Sequence, residues 1–322
     1  MLYIGIDIGG TKCSVSLAEE SEGELTILEK HKFNTIPNEP MKIMDKLAEK
    51  VYLLLSNNEL SVGDIGGIGI SCGGPLDSKN GIILSPPNLP GWDNIHIVDY
   101  FKKKFSIRTL LQNDANACVI AEWKFGAGRG YENIIFITFG TGFGSGMILS
   151  GRLYSGTNDM AGEIGHVRIA DNGPEGYGKN GSLEGFCSGG GISRSGIMML
   201  NDQKSRYPDS KLRQYAPDPE IITAKLIAKL ANDGDEMCKE IYRISGEKLG
   251  QGLSILIDIL NPEVIIIGSI FTRSQNLLWN SARKVLEKEA LPRNLEVCAI
   301  VTSQLGEKIG DYASISVAMG EF

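Results

Sequence analysis

The chain is short of histidine and has no paired cysteines. Three histidines and six cysteines occur in 322 residues, and no two cysteines form a Cys-x-x-Cys pair. Neither a disulfide framework nor a thiolate metal site is signalled, and buried free thiols in a reducing cytosol are the economical reading. No Gly-x-x-x-x-Gly-Lys-Ser/Thr string is present, which excludes a P-loop. Neither Gly140–Gly146 nor any other glycine cluster reads as the Gly-x-Gly-x-x-Gly of a dinucleotide fold, so no such fingerprint is expected. Basic blocks are missing apart from Lys102-Lys103-Lys104, and the net charge is −7. That balance argues against a nucleic-acid surface, and the triplet reads as the solvated face of an amphipathic helix. One long uncharged stretch, Asn133–Gly151, is laden with Gly, Thr and Ser. It reads as two strands around a glycine loop and not as a membrane span. The N-terminus enters a strand almost at once, leaving no room there for a signal peptide or a DNA-binding module. The expectation is a cytoplasmic protein with neither membrane nor nucleic-acid partner.

What the chain does contain is glycine at strand ends. Leu2–Ile8, Cys13–Ala18 and Leu25–Phe33 read as strands joined by glycine-bearing turns. Apolar residues at helical spacing place an amphipathic helix over Met41–Leu55. Ile65–Ser71 is a buried strand running into Cys72-Gly73-Gly74-Pro75, and Gly81–Ser85 is hairpin-like. A helix over Ile97–Phe105, a strand over Thr109–Gln112 and a helix over Ala115–Phe125 follow. The opening pattern then recurs: a strand (Ile134–Phe139), a glycine turn (Gly140–Gly146), a returning strand (Met147–Leu149) and a third at Arg152-Leu153-Tyr154. Helices are expected over Ile192–Leu200, Ile221–Ala231, Glu236–Leu260, Gln275–Glu289 and Asp311–Met319, with strands at Val264–Ile267 and Val297–Thr302. A strand–glycine turn–strand–strand unit used twice predicts two similar α/β domains. Their expected division is 1–113 with 308–322 against 114–307.

The run Asp7-Ile8-Gly9-Gly10-Thr11-Lys12 sets a carboxylate at the mouth of a tight glycine turn. Backbone without Cβ can approach a ligand closely, and successive N–H groups make an anion nest. An aspartate among those donors suits a phosphate accompanied by Mg²⁺; the alternative is an ordinary hairpin turn. Asn113-Asp114-Ala115-Asn116 lies where a strand gives way to a helix. Helix capping accounts for Asp and Asn there. An aspartate at a strand's C-terminal end is also where open α/β sheets place ligands, and it can take the proton of an attacking hydroxyl. Glu163, His166 and Glu184 offer acceptors and a switchable donor/acceptor suited to a neutral polyol, although a purely structural histidine is also open. Pro86–Trp92 is a rigid loop carrying Asn88, either flanking a sugar or closing the first domain.

Taken together, these pieces resemble the ROK family (repressors, open reading frames and sugar kinases) over nearly the whole chain. Asp7–Lys12 resembles its first phosphate motif and Gly140–Gly146 its second. Asn113–Asn116 matches the segment of its catalytic aspartate, and Gly162–His166 with Leu183-Glu184 its sugar-binding segments. The resemblance implies a two-domain actin-like ATPase (ribonuclease H-like) fold with an interdomain active-site cleft, binding ATP and a hexose, and often a homodimer. By carry-over, Asp114 is the general base, and Asn113, Glu163, His166 and Glu184 contact the sugar, with Gly73, Gly74 and Asn88 bordering it. Gly9, Gly10, Thr11, Lys12, Thr141 and Gly142 would hold phosphates, Asp7 would help to hold Mg²⁺, and Gly268-Ser269 would lie near the adenosine.

Two departures stand out. Many members carry three cysteines ahead of Leu-Glu that bind zinc with the histidine of Gly-His. Here the segment is Glu175-Gly176-Tyr177-Gly178-Lys179-Asn180-Gly181-Ser182. One carboxylate, one phenol and one hydroxyl do not replace three thiolates, so no zinc site is expected. Gly268-Ser269-Ile270 stands where a glycine triplet is commoner. The resulting expectation is an ATP-dependent hexose kinase, acting on the 6-hydroxyl of glucose or a related hexose. The alternatives are a sugar-responsive transcriptional regulator and a non-catalytic sugar sensor.

Overall fold

The computed structural model describes residues 1–202, 206–320 and 322. The strands are β1 (Leu2–Ile8), β2 (Lys12–Ser21), β3 (Glu24–Asn34), β4 (Ile65–Cys72), β5 (Leu76–Asp77), β6 (Ile82–Ile83), β7 (Thr109–Asn113), β8 (Ile134–Phe139), β9 (Phe143–Leu149), β10 (Arg152–Leu153), β11 (Glu175–Gly176), β12 (Lys179–Asn180), β13 (Val264–Ile267) and β14 (Ala299–Thr302). The helices are α1 (Pro40–Asn57), α2 (Ile97–Phe105), α3 (Asp114–Phe125), α4 (Leu183–Cys187), α5 (Gly189–Asp202), α6 (Ala224–Asn232), α7 (Glu236–Leu260), α8 (Ile270–Glu289), α9 (Pro292–Val297) and α10 (Ile309–Met319).

Two five-stranded sheets carry the fold. Their orders, β3-β2-β1-β4-β7 and β10-β9-β8-β13-β14, are the same topology in chain order. In the first sheet β1 pairs antiparallel with β2 and parallel with β4, and β4 pairs parallel with β7. The pleat sorts its side chains by size. Ile4, Ile6, Ile8, Val15, Leu17, Ile68 and Ile70 enter the main core, where Leu47, Val51 and Leu54 of α1 meet them. The other face carries Gly5 and Gly69, and α10 lies on it so closely that a Cβ at either position would strike Ser314. A strand face of small residues is what allows a helix backbone to seat there.

By packing, the chain separates into two compact units, Met1–Phe136 with Gly146–Ala161 and Gln304–Phe322, and Ile137–Ser145 with Gly162–Ser303. This division does not coincide with a boundary at 113/114. Helix α3 goes with the first unit, because Ala117 and Ala121 form a small core with Ala313 and Val317 of α10.

Strands β5, β11 and β12 and helices α4 and α9, all short, have no counterpart in the sequence reading, and the other differences sit at element ends. Val297 closes α9 and does not open a strand, since Pro292 starts a helical turn with its fixed φ. Helix α8 begins at Ile270, with a kink at Ser274 just before the expected start at Gln275. Ile221 belongs to a 3₁₀ turn, and α6 begins only after its Thr223 cap. Lys102, Lys103 and Lys104 are exposed in the last turn of α2, as a solvated face requires.

Candidate active site

In the first unit, the parallel register aligns Ile8 with Cys72 and Cys72 with Asn113. The carboxyl ends of three adjacent strands therefore carry Asp7, Gly73-Gly74 and Asn113-Asp114, the position at which open α/β sheets hold ligands.

The Asn113-Asp114 pair divides its labour. Asn113 is the N-cap of α3, its Oδ1 accepting from Ala115 N at 2.9 Å and Asn116 N at 3.5 Å. Only its amide NH₂ is left for a ligand, and it lies beside Gly74, where a Cβ would come within 3.1 Å of it. Asp114 is thus released from capping. Its carboxylate is exposed, and its Oδ1 accepts from Ala115 N at 2.8 Å. The protein surrounding it thins its hydration and raises its pKa, against the lowering effect of backbone donors.

Asp7 is half-buried and receives no hydrogen bond from the described residues. Burial, and then the charge of Asp114, push its pKa up to about 7. The turn that follows is closed by Gly9 N donating to Lys12 O at 3.0 Å. A Cβ on Gly10 would strike the carbonyl of Asn88, so the Pro86–Trp92 loop packs on the turn. Asn88 also lies against Gly73, at 3.5 Å from where a Cβ would stand. Thr11 and Lys12 are exposed.

Thr35 was missed by sequence reasoning. Its Oγ1 donates to Gly9 O at 2.6 Å and its N–H to Thr11 O at 2.9 Å, which pins both ends of the turn. A lone threonine after a strand carries no signal of this, because the partners are backbone atoms.

The second unit gathers a different set. Gly140–Gly142 turns from β8 into β9, with Gly140 N donating to Gly142 O at 3.1 Å and the Phe139 and Phe143 rings meeting edge to face. Glu184, in the first turn of α4, accepts from Phe143 N at 3.0 Å, so one of its oxygens is tied to this turn. The Gly162–His166 segment crosses the start of β9, and Ser145 donates to Gly162 O through both its N–H and its Oγ at 2.9 Å. Side chains at Gly162 or Gly165 would strike Ser145 O or Phe143 O, which explains both glycines. Glu163 and His166 are exposed, and the imidazole and the Tyr177 ring meet edge to face with centroids 5.9 Å apart. Gly268-Ser269 lies beside Gly140, with Ser269 Oγ 3.4 Å from a Cβ placed there. Thr141 is exposed at the tip of the turn.

Gly176–Gly181 spells Gly-x-Gly-x-x-Gly, yet it is the β11–β12 hairpin and not a strand-to-helix phosphate turn. Tyr177 and Gly178 take φ of 47° and 71° at its tip. Lys179 Nζ donates to His166 O at 2.8 Å, and Arg168 Nη1 donates to Asn180 O at 2.7 Å. No group of three His, Cys, Asp or Glu that could hold a metal ion exists among the described residues. No described helix is long and apolar enough to cross a membrane.

The ROK family profile matches residues 3–317. The chain belongs to the ROK family. A glucokinase of Thermotoga maritima is 32% identical over 316 residues, covering 98% of this chain and 96% of that one. The crystal structure of a ROK family glucokinase from Streptomyces griseus, in complex with glucose and AMPPNP, superposes with a TM-score of 0.77 at 27% identity, over 99% of this chain and all of that one. The xylose repressor of Bacillus subtilis is 25% identical over 320 residues, and this ROK chain spans 77% of its length. The two-sheet α/β architecture is the actin-like ATPase fold of ROK sugar kinases.

Proposed function

We propose that this ROK protein is an ATP-dependent sugar kinase that moves the γ-phosphate of ATP to a hexose hydroxyl, with the 6-hydroxyl of glucose as the first candidate. The observation that carries this reading is the release of Asp114 from helix capping by Asn113, which leaves a carboxylate of raised pKa open to a ligand beside Asp7. Likeness to glucokinases over nearly the full chain supports it.

Asp114 accepts the proton of the attacking hydroxyl. That oxygen bonds to the γ-phosphorus, the bond to the bridging oxygen breaks, and ADP departs. The exposed carboxyl then loses its proton to water. Asn113, Asn88, Gly73 and Gly74 are the sugar contacts of the first unit, with Glu163, His166 and the remaining oxygen of Glu184 those of the second. Gly9, Gly10, Thr11 and Lys12, and separately Thr141 and Gly142, are the phosphate donors, and Gly268-Ser269 faces the nucleoside.

Asp7 fits a magnesium ion carried in with ATP. Its carboxylate has no competing hydrogen bond among the described residues, and Mg²⁺ needs only one or two carboxylates besides phosphates and waters. When bound, the ion supplies charge neutralisation at the phosphates. The reading further includes a cytoplasmic homodimer without zinc; stoichiometric zinc in metal analysis of the purified protein contradicts the last of these.

ADP release measured across a hexose panel with Mg-ATP, followed by locating the phosphorylated oxygen, tests the activity. The xylose repressors in the family give a second reading, a sugar-responsive regulator. Sugar binding with no ADP release for any hexose would replace the kinase by that reading.

A further inference from the structure

The α10 face of the first sheet carries two polar rows. Strand pairing aligns Asp7 with Ser14 and Ser14 with Lys32; one pleat further in, it aligns Gly5 with Ser16 and Ser16 with Lys30. Asp311 of α10 reaches into the inner row, forming an ion pair with Lys30 and accepting from Ser16 Oγ at 3.0 Å. The pair is mostly buried, with 23% of the Lys30 side chain and 11% of Asp311 exposed. Deeper on the same face the contacts are apolar, with Tyr3 and Ala18 against Ile315 and Ala318.

Burying a lysine and an aspartate together costs desolvation that apolar residues of the same size avoid, so such a pair is weak evidence of a stabilising role. Its neighbour suggests another role. Gly310, next to Asp311, lies so near Asp7 that a Cβ would stand 3.3 Å from Asp7 Oδ2. Lys30 and Asp311 both act electrostatically on Asp7, and Lys30 does so more strongly than the exposed Lys32. Lysine is a compact charge on a flexible stem, and an unpaired Lys30 would turn toward the nearest carboxylate.

We propose that Asp311 holds the Lys30 ammonium away from Asp7, so that the Asp7 carboxylate stays open to a divalent cation. Lys30 and Asp311 are on this account positioning residues for the metal–phosphate side of the site. The inference rests on the Mg²⁺ role given to Asp7 above.

Calorimetric titration of the full chain with a non-hydrolysable ATP analogue, in Mg²⁺ and in EDTA, tests it. Asp311→Ala is expected to weaken binding in Mg²⁺ about tenfold, the order of one uncompensated charge nearby at an effective dielectric of about 20. Binding in EDTA should not weaken. Lys30→Met alone should not weaken binding in Mg²⁺. The double variant Lys30→Met with Asp311→Leu should return it to within about threefold of the parent, since both charges are gone. A folded Asp311→Ala protein that binds the analogue normally in Mg²⁺ overturns the proposal. So does a double variant as weak as the single one, which would make the pair a matter of packing. If Asp311→Ala does not fold, Asp311→Asn keeps an acceptor for Ser16, loses the charge and carries the same expectations. Asp7→Asn separates the two levels: if it leaves Mg²⁺-dependent binding intact, the role of Asp7 fails and this proposal with it. A strong Asp7→Asn effect beside a silent Asp311→Ala sinks the proposal alone.

Discussion

The two glycine turns follow strands of equal rank in sheets of the same order, yet they are held in opposite ways. The first has a carboxylate at its mouth that accepts no hydrogen bond from the described residues, and its glycines are pinned from outside by Thr35 and packed on by Asn88. The second has no carboxylate of its own. It borrows one oxygen of Glu184, which is spent on Phe143 N. Topology repeated in a chain thus does not repeat chemistry. The turn with the unengaged acid suits a metal-bearing phosphate, whereas the second turn ties one oxygen of its neighbouring acid to its own backbone.

The sharpest way to break this contrast is at Asp114, in the first unit. Asp114→Asn should lower turnover by about 10²–10⁴-fold, the effect of losing a general base, with sugar affinity largely kept. Near-normal turnover would take the chemistry away from the first sheet. The same variant removes a charge that raises the pKa of Asp7, so the pH at which Mg²⁺-dependent nucleotide binding sets in should move down from about 7. Binding isotherms of the parent and Asp114→Asn between pH 5 and 8 check the direction.

Asp7 also gives a stability test, with its sign fixed by linkage. Its folded pKa is about 7 against an ordinary 3.8, so between those values the folded state holds a proton that the unfolded chain has released. Stability from this group is therefore full at low pH and lost as pH rises toward 7 and beyond. Asp7→Asn cannot ionise and should raise Tm at pH 8 while changing it little at pH 4. An equal shift at both pH values would mean that the carboxylate is not perturbed as described.

Much of this was legible in the sequence, and what was not has identifiable causes. Alternation and helical spacing located the two sheets, because one face of each strand is an aliphatic core. The glycine turns and Asp114 stood out since their residue types are unusual at strand ends. The sequence could not tell which of Asn113 and Asp114 caps α3; one hydrogen bond decides it, and either residue is a good cap. Gly162 and Gly165 were visible, but the carbonyls of Ser145 and Phe143 that forbid a Cβ there come from another strand. Thr35, Lys30 and Asp311 lay hidden for the same reason: their partners are distant in sequence, and a lysine in a charged run such as Glu29–Lys32 looks like solvated surface. Missing Val297 as the end of α9 was a local error, since Pro292 already signalled a helical start.

Glu184 tests the second turn in its own right. Glu184→Ala removes the acceptor of Phe143 N and should destabilise the protein by about 1–2 kcal/mol, near the lower end for a charged hydrogen bond because the group is only half-buried. Glu184→Gln offers an amide oxygen in the same place and should recover most of that loss in urea unfolding. If the glutamine variant is as unstable as alanine, the charge and not the hydrogen bond fixes the turn.

The smallest effect is the one with the clearest local cause. Ser269, between β13 and α8, has φ of 58° and ψ of −112°, a combination that costs a residue with a Cβ about 1–3 kcal/mol. What it has in return is weak, a 3.4 Å contact from Arg273 Nη2 to its Oγ. Glycine meets no such penalty, although it gains freedom in the unfolded chain worth somewhat under 1 kcal/mol. Ser269→Gly should therefore stabilise the protein by about 1 kcal/mol, seen as a higher urea midpoint at unchanged slope. A glycine variant that unfolds earlier would show that the serine is held there by something stronger than its hydroxyl contact. It would also make this corner of the second unit, and not the Asp7 turn, the place where backbone strain is kept for a ligand.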